Sequence, residues 1–306
     1  MLISAQKLMR WVPVPNLDFD ILTAPPEKQM ADQHVPHSST PSLNVVATVK
    51  EAYKGAWSHF GDMTKLVWAP VAIYIAVNVI HASFVQTELV HVDQDDPMAL
   101  LNAAWGWQTV LLLLASIFLW PMIAVAWHRF ILLGETSSRT LYFRFGKREA
   151  RFLLTTIFLS LLSVPGVLVI MVGSAGPMIL FALPAGMVLI VVGLLYAARL
   201  SLLLPSVATD AQTDAKTVLD ATRGQVLNIV LVHLLNLLGL IFIAIGLGIL
   251  GEIMNLIVGA AGTAITSSLF TIFSQIISVA ILSIMYRELV LARMPAPLTG
   301  EDVPED

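Results

Sequence analysis

Long apolar stretches separated by short polar ones set the organisation of this chain. Six of them, near 66–86, 103–128, 152–173, 178–198, 226–249 and 259–285, are long enough for a membrane-crossing helix. Such a helix needs about 20 residues to cover roughly 30 Å of hydrocarbon. Lipid supplies no partner for open backbone, so each stretch is helical, and the short alternating segments of a membrane barrel are absent. The pattern therefore predicts an all-α fold, a polytopic membrane bundle of six transmembrane helices. Gly173-Ser174-Ala175-Gly176-Pro177 is short enough only for a tight hairpin between the third and fourth spans. Gly251-Glu252 reads as the turn between the fifth and sixth. Trp120-Pro121 lies inside the second span and predicts a kink.

The stretches flanking the spans divide the chain further. Residues 1–41 are proline-rich and lack an apolar period, which predicts a disordered cytoplasmic tail; Met30 is an alternative start to Met1. Lys7 and Arg10 lead into Trp11-Val12-Pro13 and not into an apolar run, unlike a cleaved signal peptide. Residues 42–291 form the membrane domain, and 292–306 a flexible acidic cytoplasmic tail.

Composition sharpens the class. Of 306 residues, 57% are hydrophobic and 12% charged, about half the charged share of a soluble domain. A net charge of −4 argues against a nucleic-acid partner. With no cysteine, disulfides, thiolate metal sites and cysteine nucleophiles are all excluded. The connections near 87–102, 174–177 and 250–258 hold none of the 17 Lys and Arg, but hold Glu88, Asp93, Asp95, Asp96 and Glu252. The loop at 129–151 holds Arg129, Arg139, Arg144, Lys147, Arg148 and Arg151. This asymmetry predicts a multi-pass protein with both termini cytoplasmic. Trp68, Trp127, Tyr196 and Tyr286 at inner ends, with Trp105 and Trp107 at an outer end, read as interfacial anchors.

Similar strings close each even-numbered span: Arg129-Phe130-Ile131-Leu132-Leu133, Arg199-Leu200-Ser201-Leu202-Leu203 and Arg287-Glu288-Leu289-Val290-Leu291. Val49-Lys50-Glu51-Ala52-Tyr53-Lys54-Gly55 matches Val218-Leu219-Asp220-Ala221-Thr222-Arg223-Gly224 in its Val, acid, Ala, base and Gly positions. Three units, 42–133, 134–204 and 205–291, follow, each an amphipathic helix and a transmembrane hairpin. An arginine at a helix end is also a plain snorkelling anchor. In the first unit Val46, Val49, Tyr53, Ala56 and Phe60 form the apolar face of a helix lying in the membrane interface, with Ser42 as N-cap. In the third unit Ala215, Val218, Leu219 and Thr222 form a weaker face, with Thr213 as cap.

This order of helix, base-Gly, hairpin and Arg-x-x-Leu-x-x-Pro resembles that of poorly characterised bacterial multi-pass inner-membrane proteins. Among these is the membrane domain attached to some glycerophosphodiester phosphodiesterases. Arg199 to Pro205 and Asp220-Ala221-Thr222-Arg223-Gly224 carry the resemblance, together with Trp127-His128-Arg129-Phe130 and Leu133-Gly134-Glu135. It implies the fold and a bacterial cytoplasmic membrane; the catalytic barrel of those hydrolases has no counterpart here.

Candidate chemistry is confined to polar groups in or beside the spans. Asn78 and His81 share one face of the first span, and His233 and Asn236 one face of the fifth, which predicts a polar site if the two helices touch. Gly259, Thr263, Ser267, Thr271 and Gln275 make a row at every fourth residue of the sixth span, with Ser274 and Ser278 beside it. The row serves a hydrated path or close helix packing. Ala182, Gly186, Gly193 and Ala197 on the fourth span are a packing stripe. Arg129, Arg144, Lys147, Arg148, Arg199, Arg223 and Arg287 are candidate contacts to anionic headgroups or a partner, as is His128 at the interface. Nucleophile-elbow, phosphate-loop and zinc-helix signatures are missing, and His34, His37 and His59 are too scattered to ligate a metal. No enzyme activity, cofactor or metal is expected. The partners are membrane lipids and a membrane or cytoplasmic protein. Function reads as a non-enzymatic accessory at the cytoplasmic face. The alternative is a transporter of a neutral or lipidic solute through a polar site between spans one, five and six.

Overall fold

A computed structural model of the protein describes residues 42–91, 98, 106–135, 145–174, 176, 178–211 and 213–293. The stretch 1–41, the side chains of the acidic connection before Met98, Arg144 and residues 294–306 lie outside the described residues. Every described element is helical. Two short helices, α1 (Val45–Ser58) and α2 (Phe60–Leu66), precede the first long one, α3 (Trp68–His91). The second span is α4 (Trp107–Leu133), unbroken through Pro121. The third divides into α5 (Lys147–Leu161) and α6 (Val164–Gly173), where Pro165 opens the second segment. The fourth is α7 (Ile179–Leu200), followed by the short helices α8 (Leu203–Ala208) and α9 (Ala215–Ala221). The chain closes with α10 (Val226–Val258) and α11 (Ala260–Leu289). Among the described residues six spans are long and apolar enough to cross a membrane.

The turn between the last two spans sits further along than the sequence predicted. Gly251 and Glu252 are inside α10, and the chain reverses at Gly259, whose φ of 65° suits glycine. A Cβ at Gly251 would come within 2.7 Å of Thr266 Oγ1, so that glycine lets α10 and α11 approach each other. The hairpin of α6 and α7 closes in the same way: a Cβ at Gly186 would lie 2.7 Å from the Gly166 carbonyl oxygen.

Packing is concentrated at the end that carries Arg129, Arg199 and Arg287. α11 is buried almost continuously from Ile276 to Leu289, and α4 from Leu119 to Ile131, apart from Trp120 and Arg129. Met63, Val67, Leu202, Ala208, Val218 and Ile229 complete this core from the short helices and their neighbours. At the opposite end Leu256 is 87% exposed and Val172 81%. Bare apolar surface on this scale fits contact with lipid tails.

The first helix departs from the interfacial position expected of it. Leu43 N donates to Gln225 Oε1 (3.2 Å), and Tyr53 Oη donates to the Asn236 side-chain and backbone oxygens (3.3 Å each). Ten residues on one strand of chain match eleven on the other, about 15 and 16 Å of helix rise, so α1 climbs beside α10. Its contacts with α11 run in reverse: Thr48 and Glu51 meet Glu288 and Arg287, and Phe60, just beyond α1 at the start of α2, lies against Phe273. α1 therefore stands upright against α10 and α11. Its buried face is Thr48, Val49, Ala52, Gly55 and Ala56. Val46, counted on the apolar face, is 65% exposed. Small side chains explain the choice, since Ala52, Gly55 and Ala56 admit a neighbouring helix that larger residues would hold off. The caps differ too: Asn44 accepts from Ala47 N (3.0 Å), and Asp214 from Thr217 N (2.8 Å). Ser42 and Thr213 do not cap; Thr213 instead shares a hydrogen bond with Tyr286 Oη (2.9 Å).

Candidate functional site

Most of the basic residues assigned to headgroups are engaged within the protein. Arg129 Nε donates to Glu135 Oε2 (2.8 Å) and its Nη1 to the Ala208 carbonyl oxygen (3.2 Å), which closes the end of α8. Arg148 Nε donates to Asp210 Oδ2 (2.9 Å), and Arg129 approaches the same carboxylate at 3.5 Å. Arg199 donates to Thr222 Oγ1 (2.9 Å) and the Leu219 carbonyl oxygen (2.6 Å) at the end of α9. Arg287 pairs with Glu51 at 2.7 Å. Lys147 and Arg223 are exposed. A guanidinium at a helix end meets bare carbonyls, and here neighbouring short helices supply them.

Asp210 holds a left-handed backbone (φ 57°), and the hydrogen bond from Arg148 keeps its carboxyl below the ordinary carboxylate value, against a smaller opposing push from burial. The sign follows: stability from this contact is present above the usual carboxylate range and lost as pH falls through the lowered value. In Asp210→Asn, which tolerates the same backbone, the melting temperature should fall less steeply below about pH 4 than in the parent. The change at neutral pH should stay within about 1 kcal/mol, as for a half-exposed pair. Thermal melts across pH 2–7 measure both.

The rings expected at the interface divide into two groups. Trp68, Trp107 and Tyr196 are exposed, whereas Trp127 and Tyr286 are core residues, each 1% exposed. Trp127 Nε1 donates to the Met63 carbonyl oxygen (3.2 Å) and ties α2 to α4. His128 is fully buried, with Nδ1 on Ser283 Oγ (2.8 Å), and no headgroup reaches it.

The two intramembrane pairs do not meet. α3 and α10 each pack along α11, with no extensive contact between them. Asn78 Nδ2 donates to the Tyr74 carbonyl oxygen (3.3 Å), and His81 Nε2 lies 3.1 Å from Thr109 Oγ1 on α4. Asn236 is held by Tyr53, and His233 Nε2 is buried without a partner in the described structure. Among the described residues the four side chains thus make separate contacts and do not form one site between spans one, five and six.

A pocket of about 370 Å³ lies elsewhere, among spans one, two, three and six. Ser116, Trp120, Ile123 and Trp127 line it from α4, and Leu153, Thr156, Ile157 and Ser160 from one face of α5. Tyr74 enters from α3, one turn before Asn78, and Thr271, Ile272 and Gln275 from α11. Thr271 and Gln275 belong to the row read from the sequence, whose earlier members lead from Gly259 toward the pocket. The hydroxyls of Ser116, Thr156, Ser160 and Thr271 donate to carbonyls of their own helices at 2.8 to 3.0 Å. The Tyr74 hydroxyl, the Trp120 indole N–H and the Gln275 amide have no hydrogen-bond partner among the described residues. Beyond that row, Trp120 at mid-span was a sequence signal that went unread for this place. Tyr74, Thr156 and Ser160 gave none.

Among the described residues no Asp, Glu, Lys, Arg or His lines the pocket. Among the described residues no three His, Asp or Glu come together as metal ligands. The fold and site define a six-span helical membrane protein with an uncharged pocket inside its spans. Comparison of the chain with protein-family models, curated proteins and solved structures gave no match.

Proposed function

We propose that this protein is a non-catalytic membrane accessory that takes an amphiphile from the bilayer into the pocket among spans one, two, three and six. One observation carries the reading. Three polar side chains without partners face a mostly apolar cavity, in a setting where lipid satisfies no hydrogen bond. Filling the pocket tests it. In Ser160→Phe/Thr156→Phe, a lipid extract that raises the melting temperature of the purified parent should give no rise, because the site is occupied. Equal rises in both proteins would count against the pocket.

The arginine end is the cytoplasmic one in this proposal, in a bacterial inner membrane with both termini inside, supported by the basic loop at 129–151. Lys147→Cys should resist a membrane-impermeant maleimide in intact cells, and Ser174→Cys should react. The reverse pattern would overturn the orientation. The repeat also remains a proposal. Its support is that Arg129, Arg199 and Arg287 each bond a residue near the start of another unit, namely Glu135, Thr222 and Glu51. A second reading, passage of the amphiphile between leaflets, draws on the row Thr263, Ser267, Thr271 and Gln275, which joins the pocket to the opposite end of α11. Flux of a neutral lipid across proteoliposomes would support it.

A further inference from the structure

We infer that the amphiphile is uncharged and single-tailed, has hydroxyl or carbonyl oxygens at its head, and binds with that head at the middle of the bundle. The inference rests on the pocket reading and narrows it.

Depth is the first argument. Trp120 stands 13 residues from each end of α4, about 20 Å, and Gln275 stands midway along the 30 residues of α11. A head bonded to both lies near the centre of the hydrocarbon, where the headgroups of ordinary phospholipids do not reach.

Charge is the second. An ionised or zwitterionic head drawn to that depth loses its water and meets no counter-charge among the described residues, whose lining side chains are all neutral. Phosphate and ammonium heads are therefore rejected.

Hydrogen-bond chemistry is the third. An indole N–H only donates, so the ligand must offer an acceptor oxygen to Trp120. The lining hydroxyls have committed their hydrogens to helix carbonyls and keep only lone pairs, which ask for an O–H on the ligand. Gln275 and Tyr74 serve either need. An alcohol with a neighbouring ester or carbonyl oxygen matches this set; a hydrocarbon chain alone would leave all three unpartnered groups unsatisfied.

Volume is the fourth. About 370 Å³ holds roughly a dozen water-sized groups, enough for a small head and the first part of one chain. The remainder of the chain would lie along α5 in the lipid.

The full chain in phosphatidylcholine nanodiscs gives the test, with a monoacylglycerol and a phosphatidylglycerol that carry the same dibrominated chain. The monoacylglycerol should quench tryptophan fluorescence saturably at low mole fraction. Trp120→Phe should lose most of the saturable part, any remainder coming from Trp127, which lines the same pocket, and Gln275→Leu should weaken the affinity at least tenfold. Phosphatidylglycerol should quench without saturation. Saturable quenching of Trp120 by phosphatidylglycerol, or unchanged affinity in Gln275→Leu, would overturn the neutral-head inference and leave the pocket standing. No saturable quenching by either lipid would remove both. If Trp120→Phe does not fold, cross-linking of the parent protein by a diazirine monoacylglycerol decides. Labels at 116–127 or 271–275 support the inference, and labels elsewhere overturn it.

Discussion

Trp127→Ala should be among the most damaging single substitutions in the protein, lowering its unfolding free energy by about 3 kcal/mol or more. The indole is 1% exposed, sits 6.2 Å from the Trp120 ring, and donates to the Met63 carbonyl oxygen. Alanine there leaves a cavity between α2 and α4 and strips a carbonyl of its partner. In a bilayer helices are held by close packing more than by escape from water, so lost contact is the larger part of the effect. Trp120→Ala, seven residues away and half-buried at the pocket, should cost far less stability while it abolishes amphiphile binding. Unfolding in mixed micelles, measured by fluorescence and circular dichroism, separates the two. Similar losses in both variants would contradict the difference between Trp127, sealed into the core at the pocket wall, and the half-buried Trp120.

Ala52→Leu should dislodge the first helix. Ala52 is fully buried on the face of α1 that meets its neighbours, with Gly55 and Ala56 one turn on. Three added carbons have no space, and overpacking of this kind costs about 1–3 kcal/mol. The bonds at the edges of α1, Arg287 with Glu51 and Tyr53 with Asn236, depend on the same seating. The lack of cysteine provides a clean reporter. A thiol introduced at Val49 should react slowly in the parent background and readily beside Ala52→Leu. Equal reactivity would mean that α1 is not held in the groove between α10 and α11.

The sequence was a good guide where lipid alone imposes the answer. Six apolar runs became six spans, because a chain in hydrocarbon must satisfy its backbone within each segment. The stripe at Gly186 and Gly193 proved to be packing, for glycine against glycine leaves room for little else. It was a poor guide where the outcome depends on which helix stands beside which. Glycine marks many turns yet is tolerated inside a membrane helix, so Gly251-Glu252 looked like a turn, whereas of Gly251 and Gly259 it is Gly259 that adopts a positive φ. An amphipathic period shows that α1 has a face to bury but not whether lipid or protein receives it; Ala52, Gly55 and Ala56 were the clue to protein. An arginine at the end of a span reads alike whether it meets a headgroup or, as Arg199 does, the end of α9. The pocket was the least legible feature, because it is space left between four helices. Only its Thr271 and Gln275 wall was marked in advance, as part of a polar row.

Native mass spectrometry of the protein released from membranes in a mild detergent tests the occupied pocket most directly. One neutral, single-chain amphiphile should accompany each chain, and should be missing from Ser160→Phe/Thr156→Phe and depleted in Gln275→Leu. A parent protein that carries only phospholipid, in amounts the pocket variants do not change, would contradict it.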